Sequence, residues 1–415
     1  ALAMTIDLEA LYLDLHRNPE LSFQETRTAG IIAEHLRALG VEVVEGIGGT
    51  GVAGVLRGGG PRGSEGTTVW LRADMDGLPV EERTGLDYAS TARGIDPNGD
   101  DVPVMHACGH DMHVTCLLGA VEALVARKTE WSGTVVAIFQ PAEELGAGAQ
   151  AMIADGLYDR VPRPDIVLGQ HVTPLPAGTI GVRPGTQMAA SDGLTVTLFG
   201  RGGHGSRPHA TIDPVVMAAA TVMRLQTVVS RETNPLDMAV VTVGSMHAGL
   251  KNNIISAEAT LALSLRYPDD EARARVLAQV TRIINAEAEA SGAVVPPRFV
   301  TDHSLPPTIN DVDATARTVA AFEAAFGPDT VFDPGMFTGS EDVSWFARDA
   351  GVPLVFWFFG GADPEVLAAA VAAGTADSDI PTNHSPFYAP VLHPTLERGV
   401  EALTVGALEW LTVRD

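Results

Sequence analysis

The sequence predicts an α/β protein, a helix-flanked mixed sheet interrupted by a smaller α+β unit, on three observations. At 415 residues the chain exceeds one ordinary compact domain. Four apolar runs end in polar, charged or glycine residues: Val69–Ala73 before Asp74-Met75-Asp76, Val135–Phe139 before Glu143-Glu144, Ile166–Leu168 before His171, and Leu354–Phe359 before Gly360-Gly361. Helical spacing lies between them, as in Val114, Leu117, Leu118, Val121, Leu124 and Val125. Strands alternating with helices build a sheet covered by helices. Between residues 188 and 302 the rhythm changes to β-α-β-β-α-β, the order of a split βαβ, ferredoxin-like unit. Residues 1–187 and 303–415 are therefore read as one domain, and 188–302 as an insertion in it.

The elements follow in order. From Thr5 to Leu39, apolar residues fall at helical spacing broken by Asn18-Pro19, which predicts two helices and a turn. Val41–Val44 and Val52–Leu56 are strands. Gly46 to Gly51 between them reads G-x-G-x-x-G, but a dinucleotide site needs that motif to open a helix, and here a strand follows; a tight turn is predicted instead. In the insertion, Leu194–Phe199, Ala239–Val243, Ala257–Arg266 and Val294–Val300 are strands, and Pro214–Val229 and Asp269–Ala290 are helices. A last helix carries Leu396, Val400, Leu403, Leu408 and Leu411.

Composition excludes several classes. Apolar residues make up 46% and charged residues 19%, so the chain can build a core. Lys+Arg number 27 against 52 Asp+Glu, a net charge of −25 that repels phosphate backbones and anionic lipid and attracts cations. Neither nucleic acid nor membrane is an expected partner. Cys108 and Cys116 are the two cysteines, too few for a disulfide framework. No apolar run reaches the ~18 residues that span a bilayer. The first residues lack the pattern of an export signal, and Met4 is read as the natural start. A cytoplasmic protein is expected.

In α/β sheets ligands gather at the carboxyl ends of strands, where these acids and histidines fall. Met105 to His113 holds the densest cluster. Read as extended chain, it puts Cys108 and His110 on one face, where a thiolate and an imidazole could share a metal ion. Asp111 would cap the helix that follows, and His106 and His113 would pack or support the ligands. Adjacent Glu143 and Glu144 point in different directions, so one can bind metal while the other serves as general base. His171 and His384 are candidate distant ligands, and Asp76 a carboxylate that orients a ligand histidine. In the insertion, His204 stands among glycines, and Arg266, ending a strand, could hold a substrate carboxylate, with Asn252-Asn253 nearby in sequence. The rival readings are a metal-free hydrolase with Cys108 as nucleophile and a non-catalytic metal-binding scaffold.

Together these residues resemble the M20 metallopeptidases, in particular the amidohydrolase branch with hippurate hydrolases, N-acyl-amino-acid amidohydrolases and plant auxin-conjugate hydrolases. The resemblance runs through His16–Ser22, Leu71–Pro79, His106–His113, Gln140–Glu144, Gly202–His209 and Asn383–Pro386. It implies a zinc-exopeptidase-type catalytic domain with a lid that also forms a homodimer. It implies two divalent metal ions, zinc or manganese with cobalt or nickel as further candidates, held by Cys108, His110, Glu144, His171 and His384. Glu143 would be the general base, His204 would stabilise the oxyanion from the partner subunit, and Asn253 and Arg266 would bind the substrate carboxylate. The implied reaction is hydrolysis of N-acyl amino acids, with a carboxypeptidase or dipeptidase as the alternative. Met112, where the family has a small residue, and the long Ala-rich stretch 363–379 depart from the pattern and bear on substrate choice.

Overall fold

A computed structural model describes residues 6–411, and the start read at Met4 lies outside them. The chain divides into two compact units. Unit one comprises Ala1–Gln187, Ile309–Gly335 and Asp342–Asp415; unit two comprises Met188–Thr308 and Met336–Glu341.

Unit one opens with helices α1 (Leu8–Arg17) and α2 (Thr26–Ala38), separated where Asn18-Pro19 breaks the helical pattern. The hairpin β1 (Glu42–Ile47) and β2 (Gly51–Arg57) follows, and Gly48-Gly49-Thr50 of the G-x-G-x-x-G stretch form the turn between these antiparallel strands. Next come β3 (Thr68–Asp74), α3 (His110–Ala126), β4 (Thr134–Gln140), β5 (Ile166–Pro176) and β6 (Ile180–Gly181). The strand expected to stop before His171 runs past it, because the last strand of the sheet keeps pairing with it, Phe358 opposite His171 and Gly360 opposite Thr173.

Unit two contains β7 (Ala190–Phe199), β8 (Gly203–His204), α4 (Pro214–Thr227), β9 (Val240–Ala248), β10 (Ile254–Ile255), β11 (Glu258–Tyr267), α5 (Asp270–Ala290) and β12 (Arg298–Leu305). Its antiparallel sheet has the order β9-β11-β7-β12. The last strand starts four residues later than the sequence suggests: Pro296 and Pro297 have no N–H for a ladder, so pairing begins at Arg298. It then runs beyond 302, which carries the unit to Thr308. The unit also takes back 336–341, where the carbonyls of Phe337 and Gly339 accept from Ala189 N–H. Leu261, Leu263 and Leu265 alternate onto the face covered by α4 and α5, where Met217, Leu225, Val276, Val280 and Ile284 complete a core.

Unit one resumes with α6 (Val312–Phe326), β13 (Val331–Phe332), β14 (Leu354–Ala362), α7 (Pro364–Ala373) and α8 (Thr395–Leu411). Its eight-stranded mixed sheet has the order β1-β2-β4-β3-β5-β14-β6-β13, and the central strands β4, β3, β5 and β14 are parallel. Helix α3 is buried along nearly its whole length and packs on α8. Gly399 makes this close approach possible, since a Cβ there would lie 2.4 Å from Cys116 Sγ. Met112, expected to bear on substrate choice, is wholly buried in this core. The Ala-rich stretch forms α7, capped by Asp363 and closed by left-handed Gly374. Chain order places β4 on one side of β3 and β5 on the other. The carboxyl end of β3 is therefore a topological switch point, where ligand-binding loops converge.

Candidate metal centre

Five segments of unit one meet at that switch point. Strand β3 delivers Asp74 and then Asp76; the turn after β4 delivers Glu143 and Glu144; β5 delivers His171; the residues before and within the first turn of α3 deliver Cys108 and His110; and a loop before α8 delivers His384. Pairing of β5 with β3 ends at Gly169 opposite Arg72, which leaves His171 beyond the ladder on that side.

The segment around Cys108 is not extended, as the spacing suggested. It turns at Gly109, which adopts φ 80°, and helix α3 begins at His110. A Cβ at Gly109 would stand 2.4 Å from a Val172 methyl, so both conformation and space require glycine. Asp111 does not cap the helix. It sits in the first turn, accepts from Met112 N–H at 2.9 Å and faces His16.

Even so, the turn brings together one ligand atom each from Cys108, His110 and Glu144, all within 4.8 Å of one another. His171 Nε2 lies 3.5 Å from Cys108 Sγ, and His384 Nε2 lies 3.3 Å from Glu144 Oε2. Tautomers are fixed by carboxylate and carbonyl acceptors. His110 Nδ1 donates to Asp76 Oδ1 at 3.2 Å, and His171 Nδ1 donates to Val172 O at 2.7 Å, so Nε2 of each ring faces the cluster. His110 Nε2 and Glu144 Oε1 are buried without a hydrogen-bond partner, a cost that a bound cation would remove. The donor set fits a divalent metal on that ground.

Electrostatics agree. Burial alone would push His110 down, but Asp74, Asp76 and Glu144 outweigh it and hold the ring up at about 10. The pocket thus demands positive charge, which a proton on His110 or a metal ion can supply. Burial and the carboxylates of Glu144 and Glu143 push the Cys108 thiol well up, so without a cation it is a poor nucleophile. This counts against the metal-free reading. Burial and His113 hold His171 neutral.

Asp74, His110, His113 and His171 form a second group close enough to hold an ion. There, however, His113 Nδ1 donates to Asp74 Oδ1 at 2.5 Å, and its Nε2 accepts from Val172 N–H at 2.8 Å. Both nitrogens are in use, so His113 supports the cluster. His106 is buried with neither nitrogen bonded and serves as packing.

Three supports escaped the sequence reading. Asn383 Nδ2 donates to Cys108 O (3.2 Å) and Val172 O (3.1 Å), while His384 N–H donates to Ala107 O (2.7 Å). These bonds hold His384 at φ 73°, a left-handed conformation costly for a residue with a Cβ. Buried Arg72 donates to Asp74, Asp342 and Gln140. Glu25, 117 positions before Ala142, accepts from its N–H at 2.9 Å; burial and the nearby Asp76 push Glu25 up to about 7. Only the neighbour of His384 carried a local signal; the others depend on distant contacts.

In unit two, β8 pairs with β10, His204 opposite Ile254, and Gly205 N–H donates to Asn253 O at 2.8 Å, which sets His204 and Asn253 side by side. His204 Nδ1 accepts from Ser206 N–H at 3.1 Å, so the proton resides on Nε2. Arg266 lies apart on β11, with Nη1 donating to Ser340 Oγ at 2.7 Å.

Residues 70–387 match the model of Peptidase family M20/M25/M40. Hippurate hydrolase of Campylobacter jejuni is 36% identical over 344 residues, 82% of this chain and 85% of the relative. Thermostable carboxypeptidase 1 of Saccharolobus solfataricus is 37% identical over 350 residues, 83% and 84% of the two chains. The crystal structure of a Bacillus subtilis protein described as a dinuclear metal binding peptidase superposes with TM-score 0.77 at 27% identity, covering 98% of both chains.

Proposed function

The chain belongs to peptidase family M20/M25/M40, and from that membership we propose that it hydrolyses the amide of N-acyl amino acids, releasing a carboxylic acid and a free amino acid. The observation that carries this reading is the convergence of Cys108, His110 and Glu144, with two buried ligand atoms left without a hydrogen bond, beside a second carboxylate. Cys108, His110, Glu144, His171 and His384 would hold two divalent ions. The thiolate favours zinc, and the imidazole and carboxylate donors also suit manganese, cobalt or nickel. When bound, such ions polarise a carbonyl and make water more acidic.

The chain's own residues do the rest. Glu143 takes a proton from the attacking water, whose oxygen adds to the amide carbon. It then delivers that proton to the amine nitrogen as the C–N bond breaks. Asp76 keeps His110 in the tautomer with its Nε2 lone pair forward. His204, protonated on Nε2, is the proposed donor to the oxyanion, supplied by the partner subunit, and Asn253 and Arg266 the proposed contacts for the substrate carboxylate. A homodimer is supported by exposed Val216 and Met223 on α4 and by edge strand β9 with exposed Met246. Two buried thiols without a disulfide support a cytoplasmic setting.

The carboxypeptidase relative favours a second reading, cleavage of a terminal peptide bond on the same centre. Amino-acid release from N-acetyl, N-benzoyl and dipeptide substrates separates the two. We expect N-acyl amino acids to give the higher kcat/KM; faster release from dipeptides would assign the peptidase reading instead.

A further inference from the structure

We propose that Glu25 is a positioning residue for the turn that carries Glu143. The proposal rests on the reading of Glu143 as the general base. The turn itself is strained: Ala142, immediately before Glu143, adopts φ 49°, and Phe23 on the other side of Glu25 adopts φ 61°. One oxygen of Glu25 answers both, accepting from Phe23 N–H at 3.0 Å and from Ala142 N–H at 2.9 Å. The other oxygen accepts from the Thr50 hydroxyl at 2.5 Å. The Glu25 side chain is wholly buried, and these donors are neutral, so burying it is costly and needs a return.

The return is that Glu25 and Asp76 together grip three successive backbone amides, Glu25 holding the first. Ala142 N–H goes to Glu25, Glu143 N–H to Asp76 Oδ1 (3.2 Å) and Glu144 N–H to Asp76 Oδ2 (3.0 Å). On the far side, Ala142 O accepts from Gly148 N–H at 3.1 Å. Asp76 also orients His110, so removing it disturbs the ligands directly. Glu25 has no hydrogen bond to a proposed ligand, which makes its effect on the base separable. Without it, the left-handed Ala142 loses its anchor and relaxes, and the carboxylate of Glu143 moves away from the attacking water.

The test uses the manganese-loaded enzyme and N-benzoylglycine, or whichever N-acyl amino acid it cleaves fastest. Displacement of a reacting group by about 1 Å costs up to about 100-fold, so Glu25→Met, which keeps the side-chain length and removes both acceptor oxygens, should lower kcat by roughly 10- to 100-fold. KM should stay within a few-fold and the metal content per chain should match wild type. Adding Ala142→Gly to that variant should recover part of the kcat, because glycine takes positive φ without strain. A wild-type kcat in Glu25→Met, a loss of kcat matched by loss of metal, or no recovery with glycine would each overturn the proposal. If Glu25→Met fails to fold, Thr50→Val, which exchanges the hydroxyl for a methyl, should show a smaller loss confined to kcat; an unchanged kcat there overturns it. Glu143→Gln serves as control: its activity would discard the base assignment, whereas an inactive Glu143→Gln beside a normal Glu25→Met discards only the role of Glu25.

Discussion

Glu143 and Glu144 are chemically identical and adjacent, and the proposed mechanism gives them different work. Glu144 presents one oxygen 3.7 Å from His110 Nε2 and the other 3.3 Å from His384 Nε2, the setting of a ligand. Glu143 is buried with its carboxylate 3.8 Å from His110 Nε2, near the cluster. Glu143→Gln keeps the shape and removes the proposed base. General base catalysis is worth about 10²- to 10⁴-fold, so turnover should fall by at least about 100-fold while metal content is unchanged. Normal turnover by that variant would remove Glu143 from the mechanism. That these residues gather in one place was legible because acids and histidines follow several apolar runs, and ligands collect at the carboxyl ends of strands. Their geometry was not: Cys108 and His110 meet through the left-handed turn at Gly109, not along an extended face.

At the level of elements, α1 is fastened to α3 by a buried ion pair rather than by apolar contact alone. His16 Nδ1 donates to Asp111 Oδ2 at 2.6 Å and Nε2 to Glu82 Oε1 at 3.1 Å, which requires the doubly protonated ring. Burial lowers its pKa, but Asp111 and Glu82 prevail and raise it from 6.5 to about 9. A raised folded-state pKa gives stability that is full below pH 6.5 and lost as pH climbs through 9. Its size is on the order of 3 kcal/mol. Urea unfolding should therefore show wild type losing more stability than His16→Gln between those pH values, and equal slopes would contradict the assignment. Nothing local announces this pair, since Asp111 lies 95 positions away in the chain. The strands and helices themselves were legible from period and punctuation. Errors came at ends decided by a neighbour or a missing donor, as at His171 and at Pro296-Pro297.

Over the whole molecule, the interruption of one α/β unit by an α+β unit was visible as a change of rhythm. The return of 336–341 to unit two was not, because that segment joins by backbone bonds to Ala189 and by Ser340 beneath Arg266, contacts no local pattern encodes. The net charge of −25 favours cations generally, but the demand for positive charge at the site is local, set by the carboxylates that crowd His110. Metal dependence is thus the property on which everything else turns. The decisive measurement is amino-acid release by protein stripped of metal, assayed alone and after reloading with zinc or manganese. Activity that vanishes on stripping and returns with either ion is the predicted result. Undiminished release by protein verified to be metal-free would contradict the mechanism at its root.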